Sequence, residues 1–404
     1  MTAQAVAQSP TKPRHGSSRV ASIDSARGAA MLFVCLAHFA NAYHFRSGAD
    51  TSGMYLVIIG MIASPTFVTV SGMVAGFLSV TRAASFRSLQ QKLVDRGLFL
   101  LIVGHTILAA SGIFAGRSFA HAFRIGYITD VVGFAVVFGP WLVTALKPRA
   151  RLAVAAIVFA ASWVAVFFWE PSGSLATALK HYFVGTVSLG DSTRGDFTIL
   201  PWFAVYIVGT VIGESVARYY SQKRDQAGHL MLAKLGAICL SIGLAAKLAL
   251  HLVREYAPTL EPEHPMLLFS ISSYQKFPPG PVYLLCFGGI GLLLVSAILE
   301  TGRRGLQPFL MNQLRQIGMA SLFIYVLQFY LYAVVLSALR LPYSPLWPLI
   351  FLLSVVILVR AAAAWNAREG NRFLTVGVGR LLKWNETRRA PSVSKPIGLD
   401  ASVS

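Results

Sequence analysis

Arg27 and His38 lie eleven residues apart in the stretch DSARGAAMLFVCLAH, Asp24 to His38, where an apolar run opens on charged residues and closes on a histidine. On an α-helix that separation is three turns plus about 20°, so both side chains project from one face, roughly 16 Å apart along the axis. Met31, Val34 and Asn41 share the stripe. A guanidinium binds phosphate through several planar donors. A neutral imidazole takes a proton from a hydroxyl or accepts an acyl group. Read together, the two would hold the phosphates of a donor at one membrane surface and act on the far end of its arm. The pantetheine arm and thioester of an acyl-CoA have about that length. Set against this, an arginine at a helix end is often a membrane anchor, and a lone histidine can simply hydrogen-bond a neighbour. Intramembrane ionisable groups are costly, however, and point to function.

The elements that position these residues belong in a bilayer. Of the 404 residues, 55% are hydrophobic and only 13% charged, about half the charged fraction of a soluble domain. Apolar runs near 20 residues long recur at about 28–46, 54–80, 97–115, 125–146, 152–170, 199–217, 230–253, 280–300, 318–340 and 345–366, each long enough to span a membrane as a helix. The expected fold is all-α and polytopic, with about ten transmembrane helices. Residues 1–26 read as a cytoplasmic tail, 27–366 as the membrane domain, and 367–404 as a basic, partly disordered cytoplasmic tail. Within the latter, NRFLTVGVGRLLKW is a candidate membrane-surface stretch.

The net charge of +19 does not indicate nucleic acid. Lys and Arg concentrate in alternate loops by about three to one, the positive-inside pattern, which places both termini in the cytoplasm. The long loops on the opposite side, 170–198 and 254–280, mix aromatics with Asp191, Asp196, Glu255, Glu261, Glu263, His181 and His264. That mixture suits either a sugar or interfacial anchoring. Cys35, Cys239 and Cys286 all sit in apolar runs with no metal-ligand spacing. No Walker loop, HExxH or GxSxG is present, which argues against common ATPases, zincins and serine hydrolases.

Several segments taken in order resemble the membrane acyltransferase superfamily, which includes the acyltransferase 3, glucan succinyltransferase and heparan-α-glucosaminide N-acetyltransferase-like proteins. They are RVASIDSARGAAMLFVCLAH, SPTFVTVSGMVAGFLS, KLVDRGLFLL, LPWFAVYIVGTVIGE, KFPPGPVYLLCFGGIGLLL and IGMASLFIYVLQFYLY, covering about residues 19–340. The resemblance implies an acyl group, commonly acetyl, passing from cytoplasmic acyl-CoA to a carbohydrate or lipid-linked acceptor at the outer face, in a bacterial cytoplasmic membrane and without a metal. His38 maps onto the family's essential histidine and Arg27 onto its paired arginine.

Two departures stand out. Gln328 occupies a position where relatives often carry His, and an amide cannot shuttle a proton. The basic loop before the third helix lacks a clean Arg-x-Arg, leaving Lys92 and Arg96, at i and i+4, as the expected donor-phosphate ligands. Asp130 near the start of the fourth helix, Trp202 and Tyr274 are the expected acceptor contacts. Asp130 also reads as a helix-start carboxylate, or as one that orients an imidazole. His105 and His251 read as packing histidines. A solute or lipid-linked sugar transporter is the rival reading, since ten proline-interrupted helices with buried charges suit it too. The chain shows no internal duplication of the kind transporters carry.

Overall fold

The computed structural model describes residues 15–43, 52–186, 196–256, 270–272, 274–339, 341 and 344–370. Among them there is no strand, and ten helical segments are long and apolar enough to cross a membrane. In chain order the helices are α1 (His15–Tyr43), α2 (Gly53–Thr81), α3 (Ala83–Phe114), α4 (Phe119–Ala145), α5 (Pro148–Phe168), α6 (Ser174–Phe183), α7 (Ile199–Ser221), α8 (Asp225–Tyr256), α9 (Pro281–Arg303), α10 (Pro308–Met319), α11 (Ser321–Leu339) and α12 (Trp347–Ala367). The chain is a multi-pass membrane protein, and all ten expected spans are present. Among the described residues α6, α10 and the short Phe119–Arg124 segment that opens α4 occupy stretches read as loop.

The first helix is longer than expected. It begins at His15, so part of the segment read as an N-terminal tail extends α1, and its apolar span starts at Ala21. The surface stretch at 371–384 lies outside the described residues. So do Asp191, Glu261, Glu263 and His264 in the two long loops.

Two close helix crossings set the frame. The α2–α7 crossing is built on glycines, and a Cβ at Gly76 would fall 1.9 Å from the Thr210 carbonyl oxygen. Without a hydrophobic drive between helices in lipid, such backbone contact is what holds them together. The α1–α10 crossing works likewise. A Cβ at Gly28 would lie 1.8 Å from Leu314 O, and one at Gly318 would lie 1.8 Å from Asp24 O. This contact brackets Arg27, so the sequence Arg-Gly fixes the helix that carries the cation.

Charged pairs brace the periphery. Arg151 of α5 is buried and donates to Thr210 Oγ1 at 2.9 Å and to Glu214, both on α7. Buried His229 of α8 joins Tyr220 of α7 at 2.8 Å and Glu300 of α9 at 2.9 Å. Each charge is paired, as burial demands.

Three spans contain a wide π-turn segment, at Leu100–Gly104, Leu284–Gly288 and Tyr330–Leu336. These abut His105, Tyr283 and Phe329, and π-turns are frequent at functional sites.

Replacing Gly318 by Ala should lower stability by about 1–3 kcal/mol through overpacking. Gly288→Ala, whose added Cβ meets nothing closer than Pro65 Cβ at 3.8 Å, should leave it unchanged. Thermal unfolding in detergent, followed by circular dichroism, compares the two.

Candidate active site

A cleft with a cavity volume of about 100 Å³ runs between α1, α2, α3, α4, α7 and α11. Arg27 and Arg96 line it, together with Ser71, Thr129, Tyr206 and Tyr325, and most of the remaining wall is aliphatic. Arg27 donates to Asp24 one turn earlier at 3.4 Å, leaving most of the guanidinium uncommitted. Arg27 of α1 and Arg96 of α3 line the same cleft. Two guanidiniums from different helices at the mouth of an apolar slot form a place for a polyanionic head with a flexible arm. Lys92 is not part of it: it is exposed one turn before Arg96, and the cleft wall carries Leu93 instead.

Tyr325 connects the cleft to His38, its ring centroid lying 6.3 Å from the imidazole. Phe329, one turn further along α11, meets His38 edge-on at 4.6 Å. Between these rings sits Gln328, fully buried. His38 Nδ1 and Gln328 Oε1 are 2.8 Å apart, and Gln328 Nε2 donates to the Tyr325 carbonyl at 2.9 Å.

This pair of bonds determines the proton's position. A peptide carbonyl only accepts, so the amide nitrogen must face Tyr325 O and the amide oxygen must face His38. The amide oxygen also only accepts, so Nδ1 carries the hydrogen. Nε2 is then left with its lone pair, and no described residue bonds to it. Gln328 thus does for His38 what a carboxylate does in an acid–base triad, holding ring orientation and tautomer, without adding a negative charge.

Asp130 has a different role from direct contact with this centre. Its Oδ2 accepts from the Tyr127 backbone N–H at 2.8 Å, closing the start of the Ile128–Ala145 helical segment of α4, and lies 2.9 Å from His105 Nδ1. Burial, with the negative charge of Asp130, pushes the Tyr182 phenol of α6 up. Asp130 joins α3 and α4, and the imidazole it orients is His105. His105, read from sequence as a packing histidine, is a hydrogen-bond partner of this buried carboxylate. A row of rings separates this pair from the centre: His105 to Tyr127 at 5.5 Å, Tyr127 to Phe329 at 6.2 Å, then Phe329 to His38.

Trp202 is fully buried, 5.8 Å from Phe197 and 6.2 Å from Tyr283, with its indole N–H unpartnered. Tyr274 is 52% exposed, with Lys247 lying 5.2 Å over its ring, and it makes no described contact with the His38 cluster. Two residues further on, Lys276 sits over Phe197 and Phe277. In the sequence it counted only as a loop cation.

A membrane-embedded bundle with a basic-mouthed cleft leading to an oriented imidazole defines a membrane transferase architecture. The family model for the catalytic region of heparan-alpha-glucosaminide N-acetyltransferase matches residues 19–255, more than half of the chain, and the chain belongs to this family of membrane acetyltransferases. The match includes Arg27, His38, Arg96, Asp130 and Trp202 but ends before Lys276 and Gln328. No curated protein matches the chain.

Gln328→Ala should lower acetyl-group turnover by about tenfold to a hundredfold, part of the contribution of an oriented general base, while leaving acetyl-CoA affinity within twofold. Paired binding and turnover assays on purified protein measure both.

Proposed function

We propose that the protein transfers an acetyl group from cytoplasmic acetyl-CoA to a carbohydrate or lipid-linked sugar acceptor on the opposite face of the membrane, in a bacterial cytoplasmic membrane. The observation that carries this reading is the cleft, which begins at Arg27 and Arg96 and ends at Tyr325, beside an imidazole whose Nε2 lone pair is free. The lysine and arginine bias of the loops supports placing the Arg27 end in the cytoplasm.

Arg27 and Arg96 hold the donor's phosphates. The arm follows the aliphatic wall past Val74 and Val132 toward Tyr325. The acceptor arrives from the other end of the bundle. His38 Nε2 takes the proton from the acceptor hydroxyl or amine as that atom bonds to the acyl carbon. The carbon–sulfur bond then breaks, and the departing thiolate recovers the proton from the imidazolium. If an acetyl group can be trapped on His38, the transfer instead passes through the same nitrogen in two steps.

Arg27→Ala should weaken acetyl-CoA binding by about tenfold to a hundredfold, the loss of charge-assisted hydrogen bonds to phosphate. His38→Ala should bind within twofold of wild type and lose turnover by about 10²–10⁴. Isothermal titration and thioester hydrolysis in nanodiscs report these. Wild-type protein that binds neither acetyl-CoA nor a longer acyl-CoA would overturn the reading and favour a transporter.

A further inference from the structure

A hydroxyl inside a membrane helix can bond back to a carbonyl one turn earlier, and several in this bundle do. On α2, Thr66 Oγ1 donates to Ile62 O at 2.7 Å and Ser71 Oγ to Phe67 O at 2.8 Å. On α3, Thr106 Oγ1 donates to Ile102 O at 2.7 Å, and on α7 Thr210 Oγ1 donates to Ile207 O at 2.7 Å. Thr129 of α4 lacks that option. It is the second residue of the Ile128–Ala145 helical segment, and the chain before it is extended at Ile125 (φ −73°, ψ 127°) and at Tyr127 (φ −102°, ψ 159°). Thr129 is 4% exposed and lines the cleft, and its Oγ1 is buried with no hydrogen-bond partner. The α3 residue facing it is Gly104, whose added Cβ would lie 3.9 Å from Thr129 Cβ, and a glycine has no side chain to offer. A buried hydroxyl left unmet is costly.

The packing of α3 on α4 sets the depth of this hydroxyl. A Cβ at Gly97, next to Arg96, would meet Val137 Cγ2 at 2.5 Å, whereas Gly104 stands level with Thr129. Two helical turns, roughly 10 Å, therefore separate the level of Arg96 from that of Thr129. Over this distance α4 presents Val136 and Val132 to the cleft, and α3 presents Leu100. The Ser71 hydroxyl, on the opposite wall, is already committed to Phe67 O.

We propose that Thr129 binds the donor's arm, its hydroxyl hydrogen-bonding the secondary amide nearer the sulfur of the acyl-CoA. The proposal rests on the acetyl-CoA reading above. An acyl-CoA arm carries two secondary amides between its phosphates and its sulfur, and each gives up water on entering an aliphatic slot. With the phosphates at Arg96, the amide nearer the sulfur of an extended arm reaches about the depth of Thr129. A hydroxyl both donates and accepts, so it suits either end of that amide. The bond removes two penalties together, an unmet hydroxyl in the free protein and an unmet amide in the bound arm. It also fixes how far the arm reaches, and so where the thioester arrives.

The test uses full-length wild type, Thr129→Val and Thr129→Ser in nanodiscs, titrated with acetyl-CoA and with an analogue whose sulfur-proximal amide is replaced by a hydrocarbon linkage. Thr129→Val should weaken acetyl-CoA binding about threefold to tenfold, the worth of one hydrogen bond, and should not weaken binding of the analogue. This comparison isolates the hydroxyl–amide pair as a double-mutant cycle does. Thr129→Ser should recover most of the lost affinity. Without ligand, Thr129→Val should unfold at or above the wild-type temperature, because it removes an unpaired polar group. A valine variant that binds acetyl-CoA as tightly as wild type overturns the proposal and leaves the parent reading intact. So does equal weakening toward both donors, which assigns the hydroxyl to packing or to another part of the donor. A valine variant that unfolds well below wild type shows a hydroxyl partnered within the protein and overturns it too. Wild-type protein that binds neither acetyl-CoA nor a longer acyl-CoA sinks the parent reading, and this one with it.

Discussion

A half-buried imidazole packed against aromatic rings must have its polar atoms accounted for, and the bond between His38 and Gln328 is where this molecule meets that requirement. One ring nitrogen is satisfied by an amide whose own nitrogen is tied to the α11 backbone. The other is left for chemistry. Leaving both nitrogens without partners would be costly, and pairing both with protein would remove the base. The neutral amide has a further consequence. A carboxylate in that place would have needed a second compensating charge in the membrane interior, whereas Gln328 orients the ring and adds none. With an amide rather than a histidine at 328, His38 is held by a neutral partner and keeps its second ring nitrogen unbonded among the described residues.

Arg27 and His38 stand on the same helix, which gives the site a built-in length. The rise of an α-helix is fixed, so the separation of cation and base does not depend on how neighbouring helices pack. What packing must supply is the wall between them. Glycine contacts provide this at both ends: α10 presses against α1 around Gly28, and α2 presses against α7 around Gly76. The cleft lies between these two tight crossings, lined by residues of α1, α2 and α7 with α3, α4 and α11 closing it. A rigid slot of this kind suits a donor whose head is polar and whose arm is flexible, because the protein then pays the ordering cost once, in folding.

The fold was largely readable from composition, because a bilayer leaves few options: every apolar run of sufficient length must be a helix. The pairing of Arg27 with His38 was readable because it is local to one helix. Contacts between helices were not. His105 and Asp130 are 25 residues apart across a hairpin, and neither residue's own surroundings in the chain announces the other. Gln328 looked like the loss of a proton carrier, since its benefit to His38 comes from a bond across 290 residues. Helical spacing also misleads wherever the helix is not regular. The π-turns beside His105, Tyr283 and Phe329 shift the phase of each span at the point where side chains matter. Tyr274 was chosen from the outer loop as an aromatic in a sugar-like setting, but it is half exposed and its ring carries Lys247.

The distribution of charge follows from these placements. Two cations, Arg27 and Arg96, line the cleft. The carboxylates nearby are committed. Asp24 is tied to Arg27, and Asp130 to His105 and the α4 backbone. Among the described residues, an apolar slot with two guanidiniums on its wall and its neighbouring carboxylates paired suits an anionic head joined to a flexible apolar arm, whereas a neutral solute would gain nothing from the two cations.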